Sequence, residues 1–127
     1  MTYTLAVKTD GTPWAWGDNS YGQLGDGTHT ERGLPVQVGT DTTWASVATG
    51  FAGSPSYDSA GVKTDGTLWT WGTNYSSQLG LGPLAGQQSA PVQVSTGFSS
   101  VASGAYFMMV GARIRRATTR ARRRPAS

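Results

Sequence analysis

Short runs of alternating apolar and polar residues, cut by glycine, make up most of the chain. Leu5 to Thr9 and Thr12 to Trp16 flank Asp10-Gly11. An Asp-Gly pair between two such runs predicts a hairpin with a type I′ turn, which needs positive φ at both central residues. Trp14 and Trp16 fall on one face of the second strand by period two. A glycine-rich loop follows, from Gly17 to Gly27. Pro35 to Val38 reads as a third strand, with the proline at its start, where a missing N–H is tolerated. Trp44 to about Ala48 reads as a fourth. Helix is expected to be nearly absent.

The pattern then repeats. VKTDGTPWAWGDNSYGQLGDG at residues 7–27 returns as VKTDGTLWTWGTNYSSQLGLG at 62–82, so Asp10, Gly11, Trp16, Gly17, Gln23, Leu24 and Gly25 align with Asp65, Gly66, Trp71, Gly72, Gln78, Leu79 and Gly80. Pro35-Val36-Gln37-Val38 returns as Pro91-Val92-Gln93-Val94, and Ser46-Val47-Ala48-Thr49-Gly50 as Ser100-Val101-Ala102-Ser103-Gly104. A third unit begins at Tyr106 to Val110, aligned with Tyr3 to Val7, and then stops. Four antiparallel strands in a unit of about 55 residues is the arithmetic of a β-propeller blade. The expected fold class is all-β: four-stranded antiparallel propeller blades, forming an incomplete propeller of about two blades with sheets packed face to face. The units run from about 2–50 and 51–104 within a body of 1–110.

Asp-Gly, then Trp-x-Trp-Gly-x-Asn and Gln-Leu-Gly-x-Gly, then Pro-Val-x-Val and Val-Ala-x-Gly, resembles the regulator of chromosome condensation repeat over about residues 2–110. Gln23-Leu24-Gly25 and Gln78-Leu79-Gly80 are its sharpest part. The resemblance implies a seven-bladed propeller and the functions of that family. These include nucleotide exchange on a small GTPase with nucleosome docking, interaction domains of ubiquitin ligases, and secreted bacterial inhibitors of β-lactamase. The chain departs from the pattern at Gly50 to Gly61, a longer stretch without the family's His-Thr-Leu, and it carries about two units of the seven.

Composition sharpens the picture at two points. Glycine at 18 of 127 residues and a charged fraction of 13% fit turns and packed strands better than a helical bundle. Charge is split along the chain. Residues 1–112 hold three basic and seven acidic residues, a net −4, whereas Arg113, Arg115, Arg116, Arg120, Arg122, Arg123 and Arg124 follow with no acid among them. The acidic body does not read as a nucleic-acid-binding surface. The tail at 111–127 has three readings: an arm for polyanions, a disordered solvated extension, or a peptide from a reading-frame slip near Val110. The break in mid-strand favours the last. On any of them the arginines are expected to contact nucleic acid or another polyanion only weakly.

Candidate chemistry is sparse. There is no cysteine for a disulfide, a zinc ribbon or a thiol nucleophile. His29 lies in a loop, and its counterpart region has no histidine. Gly22, Gly25 and Gly27 do not make a dinucleotide fingerprint. Asp18, Asn19 and Asp26 lack calcium-loop spacing, and Thr73 and Leu81 replace both acids in the second unit. No catalytic set, metal site or cofactor site is expected. The start has no signal-peptide character and no apolar run is long enough for a membrane span, so neither a membrane partner nor a compartment follows. The function expected is therefore a non-enzymatic protein-interaction module, a fragment of such a propeller, whose partner binds at the loops Gly17–Leu34, Gly50–Gly61 and Gly72–Ala90. Exchange on a small GTPase with chromatin binding, or the inhibitor-type propeller, is the alternative. Bare blade faces leave self-association open.

Overall fold

The computed structural model describes residues 2–50, 57–82, 84–103 and 108–112, with side chains to residue 99. Its elements are β1 (Tyr3–Val7), β2 (Pro13–Gly17), β3 (Arg32–Gln37), β4 (Trp44–Thr49), β5 (Asp58–Lys63), β6 (Leu68–Gly72), β7 (Gln88–Ser95), β8 (Phe98–Ser103) and β9 (Met108–Ala112). Every described element is a strand and every pairing is antiparallel. The sheet orders are β1-β2-β3, β4-β5-β6-β7 and β8-β9. β1 lies against β4, and β8 against β4 and β5, so the sheets follow one another face to face. The arginine-rich tail, with Arg113 to Arg124, lies outside the described residues.

The blades are out of phase with the sequence units. The fourth strand of the first unit, β4, pairs with β5 of the second and not within its own unit. The expectation of two four-stranded sheets, one per unit, is corrected, among the described residues, to sheets of three, four and two strands. The reason lies in the connection 38–43, which crosses from one sheet to the next. Val38 N–H is anchored to Pro13 O at 2.8 Å, and Trp44 N–H donates to Gly11 O at 3.1 Å. The crossing recurs where Phe98 N–H donates to Gly66 O at 3.0 Å. The register recurs as well. Trp44 opposite Lys63 and Val47 opposite Gly61 become Phe98 opposite Ala112 and Val101 opposite Val110. Each repeat thus hands its last strand to the following sheet. By this register Val110 stands where Ala6 stands in the first sheet, one residue from the sequence alignment with Val7.

Local chemistry corrects three further expectations. The Asp-Gly hairpin is not type I′. Lys8 pairs with Thr12 around a three-residue loop, and only Gly11 enters the left-handed region, at φ 84°. A glycine at the end of such a loop forms the bulge that matches the strand twist. Pro35 sits inside β3, which it can do because β3 is the edge of its sheet among the described residues. The stretch Gly50 to Gly61 is loop only in part, since β5 begins at Asp58. Gly61 belongs to that strand because Trp44 packs over it, where a Cβ would lie 2.4 Å from the indole.

The core follows the alternation. Tyr3, Ala15, Leu24 and Val38 are buried in the first blade, and Ala60, Val62, Leu68, Trp71 and Leu79 in the second. Trp44 meets Trp69 and Trp71 edge-on, at ring separations of 6.2 and 5.9 Å.

Candidate functional site

The repeated acids serve the turns. Asp10 Oδ1 accepts from Thr12 N–H at 3.0 Å and from Thr12 Oγ1 at 2.6 Å, and the same hydroxyl accepts from Trp14 Nε1–H at 2.8 Å. Asp65, Thr67 and Trp69 reproduce these distances. The Thr12 and Thr67 hydroxyls hold both carboxyls below the usual carboxylate range. Lys8 Nζ stands 3.9 Å over the Trp14 ring, and Lys63 Nζ 4.0 Å over Trp69. Among the described residues no cluster of three or more His, Cys, Asp or Glu is placed to hold a metal.

The Gln-Leu-Gly motif builds the joint between blades. Gln23 is buried, and its Oε1 accepts from Tyr21 N–H at 2.8 Å, which closes the loop after β2. Asn19 Oδ1 accepts from Leu24 N–H, as Asn74 Oδ1 does from Leu79 N–H, both at 3.0 Å. These bonds turn the Gln23 carbonyl toward the next sheet. There it accepts from Ser59 Oγ at 2.7 Å and from Trp71 Nε1–H at 2.9 Å. Gly25 must be glycine here, because a Cβ on it would lie 2.7 Å from Trp71 Nε1, and its φ is 82°. Tyr3 completes the joint. Its Oη donates to Asp58 O at 2.6 Å and accepts from Gly50 N–H at 3.2 Å. Burial pushes this phenol well above its ordinary pKa. The predicted motif residues Trp71, Gln23, Leu24 and Gly25 therefore come together. Trp16 lies on the first sheet and Gln78–Gly80 in the loop after β6 of the second, while Gly17 and Gly72 end β2 and β6. Tyr3 and Ser59 went unforeseen as parts of the joint: Tyr3 aligns with Tyr106 but opens a strand with no motif of its own, and Ser59 lies in the stretch that departs from the repeat.

Because the strands alternate in direction, the loop 18–31 after β2, Tyr57 just before β5 and the residues 73–82 after β6 share one rim. Tyr21 stacks on Tyr57 at 5.0 Å and meets Tyr75 edge-on at 6.3 Å. Tyr75 is 67% exposed. His29 is exposed on this rim, with Nδ1 3.3 Å from Ser20 O. Asp18, Asn19 and Asp26 are loop ties. Asn19 Nδ2 donates to Thr28 O at 2.9 Å, and Arg32 Nε donates to Asp26 Oδ2 at 3.0 Å. The opposite rim carries the short hairpins and the Asp41–Lys63 ion pair. A cavity of about 310 Å³ lies in the crevice between the sheets, floored by Trp44 and Trp69 and edged by Asp26, Asp41, Lys63 and Pro91. It is mostly apolar, and its charges are already paired, Lys63 with Asp41 and Asp26 with Arg32.

Residues 10–52 and 65–110 match the profile of the Regulator of chromosome condensation (RCC1) repeat. The chain belongs to the RCC1 repeat family. It is 30% identical over 93 residues to the mitochondrial RCC1 domain-containing protein RUG3 of Arabidopsis thaliana, covering 73% of this chain and 20% of that one. It is 42% identical over 77 residues to the secretion-regulating guanine nucleotide exchange factor of Bos taurus, covering 61% of this chain and 16% of the relative. Among solved structures it is similar to Prp20p of Saccharomyces cerevisiae, described with its binding to Gsp1p and histones. The TM-score is 0.71 at 21% identity, over 87% of this chain and 28% of Prp20p. The chain thus spans a fifth or less of these two curated relatives, and its fold is that of an incomplete RCC1 propeller of about two blades.

Proposed function

We propose that the chain is a non-enzymatic protein-interaction module that binds its partner at the rim of loops 18–31 and 73–87. The observation that carries this reading is the Tyr21–Tyr57–Tyr75 cluster, aromatic surface held on loops that Asn19, Gln23 and Asn74 tie to the blades. Rigid, partly exposed tyrosines are the kind of anchor around which interfaces concentrate their energy. The motif residues Asp10, Gly11, Trp16, Gly17, Gln23, Leu24 and Gly25, with their counterparts from Asp65 to Gly80, serve the scaffold in this reading. The arginines from Arg113 to Arg124 serve as weak, sequence-blind polyanion contacts. The test is affinity capture with the full chain and with Tyr75→Ala. Loss of the captured partner by at least about tenfold, with an unchanged circular dichroism spectrum, is expected of an anchor. A hydrolase or transferase activity that survives purification and dies on a point substitution would overturn the reading.

Exchange on a small GTPase is the second reading, supported by the 42% identity to the bovine exchange factor. Acceleration of labelled-nucleotide release from a small GTPase by this chain would establish it, and no acceleration removes it.

A further inference from the structure

Trp44 and Trp71 are the two buried indoles among the described residues, 5% and 2% exposed. A buried indole N–H ordinarily finds an acceptor. Trp71 donates to the Gln23 carbonyl at 2.9 Å, but Trp44 Nε1–H reaches no acceptor among the described residues. Nor is it sealed from solvent, because Ser46 Oγ is the single described side-chain polar atom that is both closed off and unpartnered. The packing of the ring shows where it opens. Gly61 backs the Cε3–Cζ3 edge, and a Cβ there would lie 2.8 and 2.4 Å from those two atoms. The N–H is on the opposite edge of the indole, turned away from Gly61 and toward the crevice of about 310 Å³ that Trp44 floors.

Every wall of that crevice is a described residue between Gly25 and Pro91, drawn from the β1-β2-β3 and β4-β5-β6-β7 sheets and their loops. Its size is that of a small-molecule site. Trp44 and Trp69 give it an apolar floor, while Asp26 and Asp41 place acceptors and Lys63 places donors at its edge. The charges exclude an ionic occupant. Lys63 is paired with Asp41, and Arg32 Nε with Asp26 Oδ2 at 3.0 Å. A cation would have to displace Lys63 or Arg32, and an anion would face two carboxylates against one ammonium. The occupant is therefore neutral. It offers an acceptor to Trp44 Nε1–H, and groups that both donate and accept to an edge of mixed polarity; hydroxyls do both. It also lays an apolar face on the tryptophans. A pyranose ring combines these features. Its faces present weakly positive C–H groups, which suit the negative faces of aromatic rings, and its hydroxyls surround them.

We propose that the crevice is a binding site for a neutral carbohydrate. A pyranose ring sits on Trp44 and Trp69, one of its oxygens accepts from Trp44 Nε1–H, and its hydroxyls donate to the Asp26 and Asp41 carboxylates. The site is separate from the tyrosine rim, since Tyr21, Tyr57 and Tyr75 take no part in its walls.

The experiment is isothermal titration calorimetry on the full chain with cellobiose, methyl β-galactoside and methyl α-mannoside. Sorbitol serves as an open-chain polyol without a ring face. Saturable binding of at least one pyranoside, absent with sorbitol and unchanged between about 0.1 and 1 M salt, is expected of a neutral ligand. Trp44→Phe keeps an aromatic ring and removes the N–H, and should weaken binding about fivefold. Ala90 is an exposed position of β7 at the crevice, so Ala90→Trp should abolish binding by filling the space. Tyr75→Ala should leave it unchanged, which keeps this site distinguishable from the rim. No saturable binding of any of the three pyranosides overturns the proposal. So does sorbitol binding as tightly as they do, binding that salt weakens, or binding that either crevice variant leaves unchanged with its circular dichroism intact. If Trp44→Phe fails to fold, Ala90→Trp alone decides.

Discussion

Trp71 and Trp16 are the same residue of the repeat in two environments. Trp71 is 2% exposed, packs on Trp44 at 5.9 Å and donates to the Gln23 carbonyl at 2.9 Å. Trp71→Ala should therefore cost about 3–5 kcal/mol, a cavity cost with an orphaned carbonyl added. Trp16 is only half-buried, so Trp16→Ala should cost clearly less, and parallel urea titrations of the two variants measure the difference. Equal costs would mean that the two indoles share one environment. Asp41 makes a second prediction at this scale. The Lys63 ammonium first, and the Thr43 hydroxyl after it, lower its carboxyl to about 2. A depressed folded pKa gives stability that is fully present above the unfolded value, near 4, and is lost as pH falls toward about 2. Asp41→Asn should thus be less stable than the parent at pH 6, and the gap should close between about pH 4 and pH 2. Tryptophan fluorescence on acid titration follows it, and a gap constant over that range would unlink Asp41 from acid stability.

At the scale of the element, the first hairpin turns on Gly11. Its φ is 84°, and a Cβ there would lie 1.9 Å from the Thr42 carbonyl oxygen, on the segment that leads into β4. Gly11→Ala should destabilise by at least about 1–3 kcal/mol through backbone strain alone, whereas Gly39→Ala has the same sign of φ, at 71°, and meets nothing within 4 Å. The comparison, by thermal melts, separates the clash from the dihedral cost. Alternation and the Asp-Gly signal were enough to locate the strands to within about three residues, because hairpin pairing is local. The partner of β4 was not legible, since the 38–43 crossing is decided by tertiary bonds such as Trp44 N–H to Gly11 O. The same limit hid the site. Gln23 stands out as repeated, but that its carbonyl reaches Ser59 and Trp71 depends on how two sheets face each other. The Tyr21–Tyr57–Tyr75 cluster joins three loops with no shared spacing.

For the whole molecule, the separation of charge sets the last prediction. Residues 1–112 carry a net −4, and the seven arginines after them carry no acid. Each arginine near a polyanion releases condensed counterions, so binding through the tail must fall steeply with salt and ignore sequence. Base-specific contact would require aromatic or polar side chains between the arginines, and beyond Arg113 only Thr118, Thr119 and Ser127 qualify. The rim of loops 18–31 and 73–87 lies in the acidic body, and its tyrosine contacts do not depend on ions. A chain ending at Gly111 should therefore keep its far-ultraviolet spectrum and its captured partner at about 150 mM salt, where the Debye length is about 8 Å. It should lose retention on a polyanion column at low salt, and its isoelectric point should fall well below the present 9.6. Comparing the two chains in both assays separates the contributions. Salt-resistant partner binding that disappears on truncation would place the specific contact in the arginines and take it away from the rim.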